Sequence, residues 1–289
     1  MKIGYPCINL SVGCTANSTF RLKSYSVHNL IKKTNKNLEC LQKILEFNVA
    51  NKIFFFRIGS GLIPFASHEF CKFNWQKHFQ KKFQKIGKYI KKHRIRISMH
   101  PDQFVLINAK NPKIVEKSFK ELKYHCEILD LMKLDSSAKI QIHIGGVYDN
   151  KKESMQRFIE KYKNLSLNIK KRLVIENDDK LYGLKDCLKI HQKIKIPILL
   201  DVFHHQCFNN HELIIKAIFL AQKTWKKKDG ILMVDYSSQK PGARKGAHIE
   251  HIDLNQYQEF INQTKNFDFD LMLEIKDKEK SALEILSLK

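Results

Sequence analysis

The chain has 289 residues, and 52 Lys and Arg stand against 29 Asp and Glu, a formal net charge of +23. At this length a compact fold buries roughly three-quarters of the surface its unfolded chain exposes, so a disulfide framework is not needed for stability. The positive excess suits a polyanion, nucleic acid first and an anionic membrane second, with a merely lysine-rich surface as the plain alternative; no apolar run approaches the ~18 residues of a membrane span.

The seven cysteines form no CxxC pair. They read as thiols of a reduced, intracellular protein, not as a disulfide framework or a thiolate zinc site. Met1 leads straight into the strand-like Lys2-Ile3-Gly4-Tyr5, without a signal-peptide core, so the expected location is cytoplasmic.

In chain order, Lys2 to Pro6 is a first strand, followed by a loop with Asn9, Gly13 and Cys14. Leu38, Leu41, Ile44, Leu45 and Val49 give helical spacing over 37–49. Ile53 to Ile58 is a second strand, closed by Gly59-Ser60-Gly61, and a basic helix spans 73–92. Arg94 to His100 is strand three, stopped by Pro101, which cannot donate to a ladder. A helix from Pro112 to about Met132 precedes strand four, Lys139 to His143, which Gly145-Gly146 closes. Helix 151–169, strand 173–176, helix 182–192, strand 197–201, helix 212–225, strand 230–235, helix 254–264, strand 270–274 and helix 277–286 complete the chain. Eight short apolar strands alternating with helices predict an α/β fold, a single (β/α)₈ barrel over residues 1–289. The rival open, doubly wound sheet lacks a Gly-x-Gly-x-x-Gly turn after its first strand, and no linker or repeat argues for a second domain.

His100, His143, Glu176, Asp201, Asp235 and Glu274 each stand where an apolar run ends. In a barrel these ends converge on one face, the C-terminal rim. One such histidine is more often structural. Six together are hard to explain by packing, because inward carboxylates do not stay charged without a cation or donor. Two residues back from Glu176, Asp201 and Glu274 lie Val174, Leu199 and Met272, which are expected to fill the barrel interior. His204, one turn beyond Asp201, and His248 add imidazoles from loops. Imidazole and carboxylate without thiolate favour Mn²⁺ or Zn²⁺, and this many ligands exceeds one tetrahedral site. A multinuclear cluster clamping both oxygens of a phosphoryl displacement, on so basic a chain, points to hydrolysis of a nucleic-acid phosphodiester.

The motifs Gly4-Tyr5-Pro6-Cys7 with Asn9, Phe56-Arg57-Ile58-Gly59-Ser60, Ser98-Met99-His100-Pro101-Asp102-Gln103-Phe104, Ile142-His143-Ile144-Gly145-Gly146, Ile175-Glu176-Asn177-Asp178, Asp201-Val202-Phe203-His204-His205, Asp235-Tyr236-Ser237-Ser238-Gln239 and Leu273-Glu274-Ile275-Lys276-Asp277-Lys278-Glu279 run through nearly the whole sequence. Their order and content resemble the UV damage endonuclease family, the UvdE-type repair nucleases. The resemblance implies a TIM barrel with a trinuclear site, commonly manganese (Zn²⁺, Mg²⁺ or Co²⁺ being alternatives), and nicking of double-stranded DNA just 5′ to a photoproduct, by a monomer. The implied ligands are His100, His143, Glu176, Asp201, His204, Asp235, His248 and Glu274, with His143, Glu176 and His204 central to catalysis. Gln103 and Phe104 correspond to residues that probe the lesion. Tyr5 and Asn9 correspond to residues beside the lesion and the scissile phosphate.

The pattern departs from the family at one place. Some members carry a carboxylated lysine two residues before a histidine on strand seven, where this chain reads Met233-Val234-Asp235. A thioether does not bridge hard metals, so the bridging carbamate is expected to be absent, with Asp235 in the histidine's place. Arg57, Arg244, Lys245 and Lys276 are candidate phosphate contacts, and His205 and His251 either orient ligands or are exposed. Arg96 shares parity with His100 and has no evident partner in the sequence. The competing functions are an apurinic-site endonuclease of the endonuclease IV kind, a sugar isomerase, which the charge disfavours, and a non-catalytic basic DNA-binding protein.

Overall fold

The computed structural model describes residues 1–288. Eight parallel strands close into a barrel in chain order: β1 Ile3–Pro6, β2 Phe55–Ile58, β3 Arg96–Met99, β4 Lys139–His143, β5 Leu173–Glu176, β6 Ile198–Asp201, β7 Leu232–Tyr236 and β8 Phe269–Leu273. The ring closes through β1 against β8, where Ile3 pairs with Leu271. The helices between the strands are α1 Val27–Ala50, α2 Trp75–Lys92, α3 Pro112–Leu131, α4 Lys151–Lys163, α5 Leu167–Lys170, α6 Leu184–Ile194, α7 Val202–Cys207, α8 Ile214–Gln222, α9 Leu254–Thr264 and α10 Glu279–Ser287. This is the TIM-barrel architecture expected from the alternation of apolar runs.

Period-two alternation splits the core in two. Outward residues such as Ile97, Ile140, Ile175, Leu200, Val234 and Leu271 join the helices in one large apolar core. Inward, Phe55, Val174, Leu199, Met233 and Met272 form a separate buried cluster. Val174, Leu199 and Met272 therefore occupy the interior predicted for them.

Below that cluster the barrel holds charges. Arg96 donates to Asp270 Oδ2 at 2.9 Å and to the Ile231 carbonyl at 2.6 Å. Its guanidinium lies 5.7 Å from the Phe55 ring centroid and 5.4 Å from that of Trp225. Lys139, fully buried, donates to Asp229 Oδ1 at 2.6 Å. Removing any one partner would strand a buried charge, a loss of about 3–5 kcal/mol. The partner of Arg96 that the sequence did not reveal is thus the strand-eight aspartate.

Three elements differ from expectation. α1 starts at Val27, ten residues before 37, because its first turns bury Leu30 and the polar Thr34 and Asn37 rather than an apolar stripe. The helix expected over 151–169 is two: α4 ends at Lys163, and Ser166 caps α5 by accepting the Ile169 N–H. α7 is an additional six-residue helix leaving β6 directly.

The cysteine reading is corrected. Cys14 and Cys40 are disulfide-bonded, tying the β1–α1 loop to α1 across 26 residues of sequence. Cys7, Cys71, Cys126, Cys187 and Cys207 are free thiols. Nothing in the cysteine spacing reveals that this loop folds back on its own helix. Among the described residues no helix is long and apolar enough to cross a membrane.

Candidate metal centre and nucleic-acid cleft

Five of the eight strands deliver their chemistry two residues above the apolar interior. Phe55 is followed by Arg57, Val174 by Glu176, Leu199 by Asp201, Met233 by Asp235 and Met272 by Glu274, all at the C-terminal ends. His100 and His143 stand at the ends of β3 and β4. Asp201 has a second duty as the cap of α7: its Oδ1 accepts the His204 N–H at 2.6 Å, which fixes where that imidazole projects. Asn177 clamps Asp201 from the next strand, donating to its carbonyl at 2.9 Å and accepting its N–H at 3.0 Å. Gly145, at φ +111°, turns the chain away from His143 in a conformation that disfavours L side chains, and a Cβ there would meet Asn108 Oδ1 at 2.3 Å.

The donor atoms fall into three groups, each within a 4.8 Å span: His100, His143 and Glu176; Glu176, Asp201 and His204; Asp201, Asp235 and Glu274. Glu176 and Asp201 are the shared members, so the groups form a row. Glu176 Oε2 lies 3.3 Å from His100 Nε2, and its Oε1 lies 3.3 Å from His204 Nδ1. His100 Nδ1 contacts the Pro101 carbonyl at 2.8 Å, an arrangement that suits Nδ1–H and leaves Nε2 as the free donor. His248 lies outside these groups, its ring centroid 6.1 Å from that of His204, with Nδ1 on the Glu274 carbonyl at 2.8 Å.

The residues fit divalent cations. His143 Nδ1, Asp201 Oδ2 and Asp235 Oδ1 are buried and have no hydrogen-bond partner. Leaving such atoms unmet costs about 1–3 kcal/mol each, and all are oxygen or imidazole donors of the kind Mn²⁺ and Zn²⁺ accept. Burial drives the Asp201 carboxyl up to about 7, although His204 opposes it. Burial also raises Asp235 well above the carboxylate range despite Arg57 beside it. Burial pushes Glu176 up as well, but His143, His100 and His204 prevail and hold it well below the ordinary value. Burial lowers the basicity of His204, yet Asp201 and Glu176 outweigh it and carry the imidazole up to about 11. These shifts show a site that favours added positive charge, of the kind a divalent cation would supply.

Above the row opens a cavity of about 980 Å³, lined among others by Arg57, His100, Gln103, Phe104, His143, Arg244, His248, Glu274, Lys276 and Lys278. Gln103 is exposed and Phe104 is 54% exposed, so the ring projects rather than packing in a loop core. Arg244 and Lys245 are exposed on a loop that turns at Gly246, φ +84°, where a Cβ would meet Asp179 Oδ2 at 2.6 Å. Lys276 is partly engaged, donating to Glu250 Oε1 at 2.8 Å.

Other candidates lie elsewhere. Tyr5 is fully buried on the helix side of β1; its hydroxyl donates to Asn48 Oδ1 at 2.6 Å and accepts from Asn9 Nδ2 at 2.7 Å. Asn9 is buried too, and its Oδ1 accepts the Ser11 N–H at 2.8 Å and the Val12 N–H at 3.0 Å. These hydrogen bonds make the pair the frame of the β1–α1 loop. Arg57 is not free for phosphate: it is 2% exposed and bound to two carboxylates. His205 is buried with Nε2 on the Glu212 carbonyl at 2.9 Å, and His251 is exposed between Asp277 and Glu284.

A sequence model of the family described as UV-endonuclease UvdE matches residues 1–289. The UV DNA damage endonuclease of Clostridium perfringens (strain 13 / Type A) is 43% identical over 289 residues, covering 99% of this chain and 70% of that protein.

The chain belongs to the UvdE family.

The UV DNA damage endonuclease of Bacillus thuringiensis subsp. konkukian is 37% identical over 258 residues, covering 88% of this chain and 80% of that protein. The crystal structure of SacUVDE superposes with a TM-score of 0.95 at 44% identity, covering 100% of this chain and 97% of that one. Endonuclease IV from Thermus thermophilus shares the fold alone, at a TM-score of 0.60 and 12% identity over 86% of this chain and 93% of that one. In this UvdE-family barrel the sequence reading missed Gln141, whose Nε2 donates at 2.8 Å to both Glu176 Oε2 and Asp235 Oδ2. Parity was its available signal, since Gln141 stands two residues before His143. Glu279 ends the last of the family motifs but was given no role: fully buried, it accepts the Leu10 N–H at 2.9 Å and the Ser11 hydroxyl at 2.8 Å and anchors the same loop as Asn9. No periodicity marks it.

Proposed function

We propose that this protein is a divalent-metal-dependent DNA repair endonuclease that cuts the backbone immediately 5′ to a UV photoproduct and leaves a 3′-hydroxyl. Its substrates in this reading are cyclobutane dimers and 6-4 photoproducts, with abasic sites as a further one. The observation that carries it is the row of carboxylate and imidazole donors under a wide cavity rimmed by exposed Gln103 and Phe104 and by Arg244, Lys276 and Lys278.

Bound divalent cations, Mn²⁺ first, supply Lewis acidity, lowering the pKa of water and neutralising charge that builds on the phosphate and leaving oxygen. The chain's own residues do the rest. His100, His143, Glu176, Asp201, His204, Asp235, His248 and Glu274 are the groups assigned to hold the centre. Gln141 and Asn177 keep Glu176, Asp235 and Asp201 oriented through the bonds given above. Gln103 and Phe104 enter the duplex at the lesion, where poor stacking lowers the cost of opening it. Arg244 and Lys245 hold backbone phosphates, a sequence-independent contact. Tyr5 and Asn9 act through the loop they fix. Residues 1–289 work in this reading as one endonuclease domain, a cytoplasmic monomer on damaged double-stranded DNA.

Duplex oligonucleotides carrying one cyclobutane dimer, one 6-4 photoproduct or one abasic site, incubated with Mn²⁺, test this. Cutting at the first two is expected. Cutting at the abasic site alone would favour an endonuclease IV-like activity, and cutting of none would leave a DNA-binding protein.

A further inference from the structure

The third donor group differs from the other two in already containing a cation. Arg57 leaves β2 inward, above Phe55, and its Nη2 donates to Asp235 Oδ2 at 2.6 Å while its Nη1 donates to Glu274 Oε1. Both Arg57 and Asp235 are all but completely buried. Asp235 Oδ2 also accepts from Gln141 at 2.8 Å, so this oxygen is occupied twice, and only Oδ1 of this carboxylate is left without a hydrogen-bond partner. Beneath the group Met233 is fully buried in the apolar interior cluster and offers no oxygen donor.

A guanidinium cannot lose its proton in a protein, and a divalent ion brought among Asp201, Asp235 and Glu274 would face it across a few ångströms of low-dielectric interior. The other two groups contain no such permanent competitor: their imidazoles, His204 included, can give up a proton to bind an ion, whereas the guanidinium cannot. Charge balance agrees. In the state that binds ions, with the carboxylates ionised and the imidazoles neutral, Glu176, Asp201, Asp235 and Glu274 with Arg57 leave three negative charges in the row. Two divalent ions convert this to one positive charge, fit for an anionic phosphate and a hydroxide; a third would leave three.

We infer that Arg57 is the built-in cation of the third group and that the centre holds two divalent ions, in the His100–His143–Glu176 and Glu176–Asp201–His204 groups. This rests on the metal centre proposed above and differs from the trinuclear site implied by family resemblance. Arg57 is here a positioning residue, holding Asp235 and Glu274 as an ion would and fixing their charge whether or not metal is bound.

The test is stoichiometry. The full chain is stripped with chelator, loaded with Mn²⁺, separated from free metal by gel filtration and analysed by plasma mass spectrometry, with calorimetric titration in parallel. The wild type is expected to retain two Mn²⁺ per chain. Arg57→Ala is expected to retain a third, and Arg57→Lys, which keeps the charge, to stay at two. Three Mn²⁺ in the wild type overturns the inference while leaving the metal centre intact, and this result needs no variant to fold. An Arg57→Ala variant that is folded by circular dichroism and still binds two also overturns it. No bound Mn²⁺ at all defeats the metal centre itself.

Discussion

His204 Nδ1 lies 3.3 Å from Glu176 Oε1, and His100 Nε2 lies 3.3 Å from the other oxygen of the same carboxylate. Glu176 is therefore the common member of two donor groups that share no other residue. Glu176→Ala removes a ligand from both, and His143→Ala removes one from the first. Each variant is expected to lose nicking of damaged DNA by about a thousandfold or more, since several kcal/mol of charge stabilisation is at stake. Binding of the same DNA in a gel-shift assay should survive. Full activity in either variant would remove the assignment of these residues.

Gln103 and Phe104 are exposed at the end of β3 with no structural task that burial would reveal. The double variant Gln103→Ala, Phe104→Ala is expected to lose its preference for damaged over undamaged duplex while Mn²⁺ content stays at the wild-type value. Loss of a base-stacking ring costs about 1–3 kcal/mol, roughly a 5- to 150-fold drop in discrimination. An unchanged preference, read from competition binding, would dismiss the probe.

Four carboxylates gathered in a buried row repel one another, and an ion that binds only the folded state stabilises it by mass action. Mn²⁺ at about a hundred times its dissociation constant adds ~2.7 kcal/mol, which for a chain of this size raises the melting temperature by roughly 4–5 °C. Differential scanning fluorimetry with Mn²⁺ and with chelator reads the shift directly. Identical curves would speak against a folded-state metal site.

The placement of His100 is supported from behind. Its carbonyl accepts the Ser60 hydroxyl at 2.9 Å, and Ser60 Oγ lies 3.2 Å from Nε2 of the fully buried His125. Burial holds the His125 imidazole down to about 4. An unfolded histidine takes its proton near pH 6.5, so on acidification the unfolded state is protonated first. Stability from this residue is whole above pH 6.5 and is lost as pH falls towards 4. Between pH 7.5 and pH 5 the wild type should lose about 2 kcal/mol more than His125→Gln in urea titrations. Equal losses would show that His125 does not titrate as a buried neutral ring.

Much of this architecture was legible because barrels enforce alternation. Stepping back two residues from three acidic strand ends named Val174, Leu199 and Met272 as interior, and the strands placed them there. The same step from Arg57 reaches Phe55, also interior, yet Arg57 read as a phosphate contact because a basic chain invites that inference. Its partners, Asp235 and Glu274, are 178 and 217 residues away, beyond any local signal. Tyr5 sits on the opposite parity from the interior and packs against Phe56 with ring centroids 5.3 Å apart, which a motif match does not convey. The Cys14–Cys40 link was invisible for a similar reason: it depends on how a loop closes, and spacing alone carries no trace of that. The start of α1 was missed where tertiary contacts bury Thr34 and Asn37, polar residues that erase an apolar stripe.

The most direct measurement is a nicking assay on supercoiled plasmid, irradiated and unirradiated, with Mn²⁺ and with chelator. Conversion to the open circle is expected only for irradiated DNA with Mn²⁺, and chelator should abolish it. Equal nicking of unirradiated plasmid, or undiminished nicking in chelator, would contradict a metal-dependent enzyme specific for UV damage.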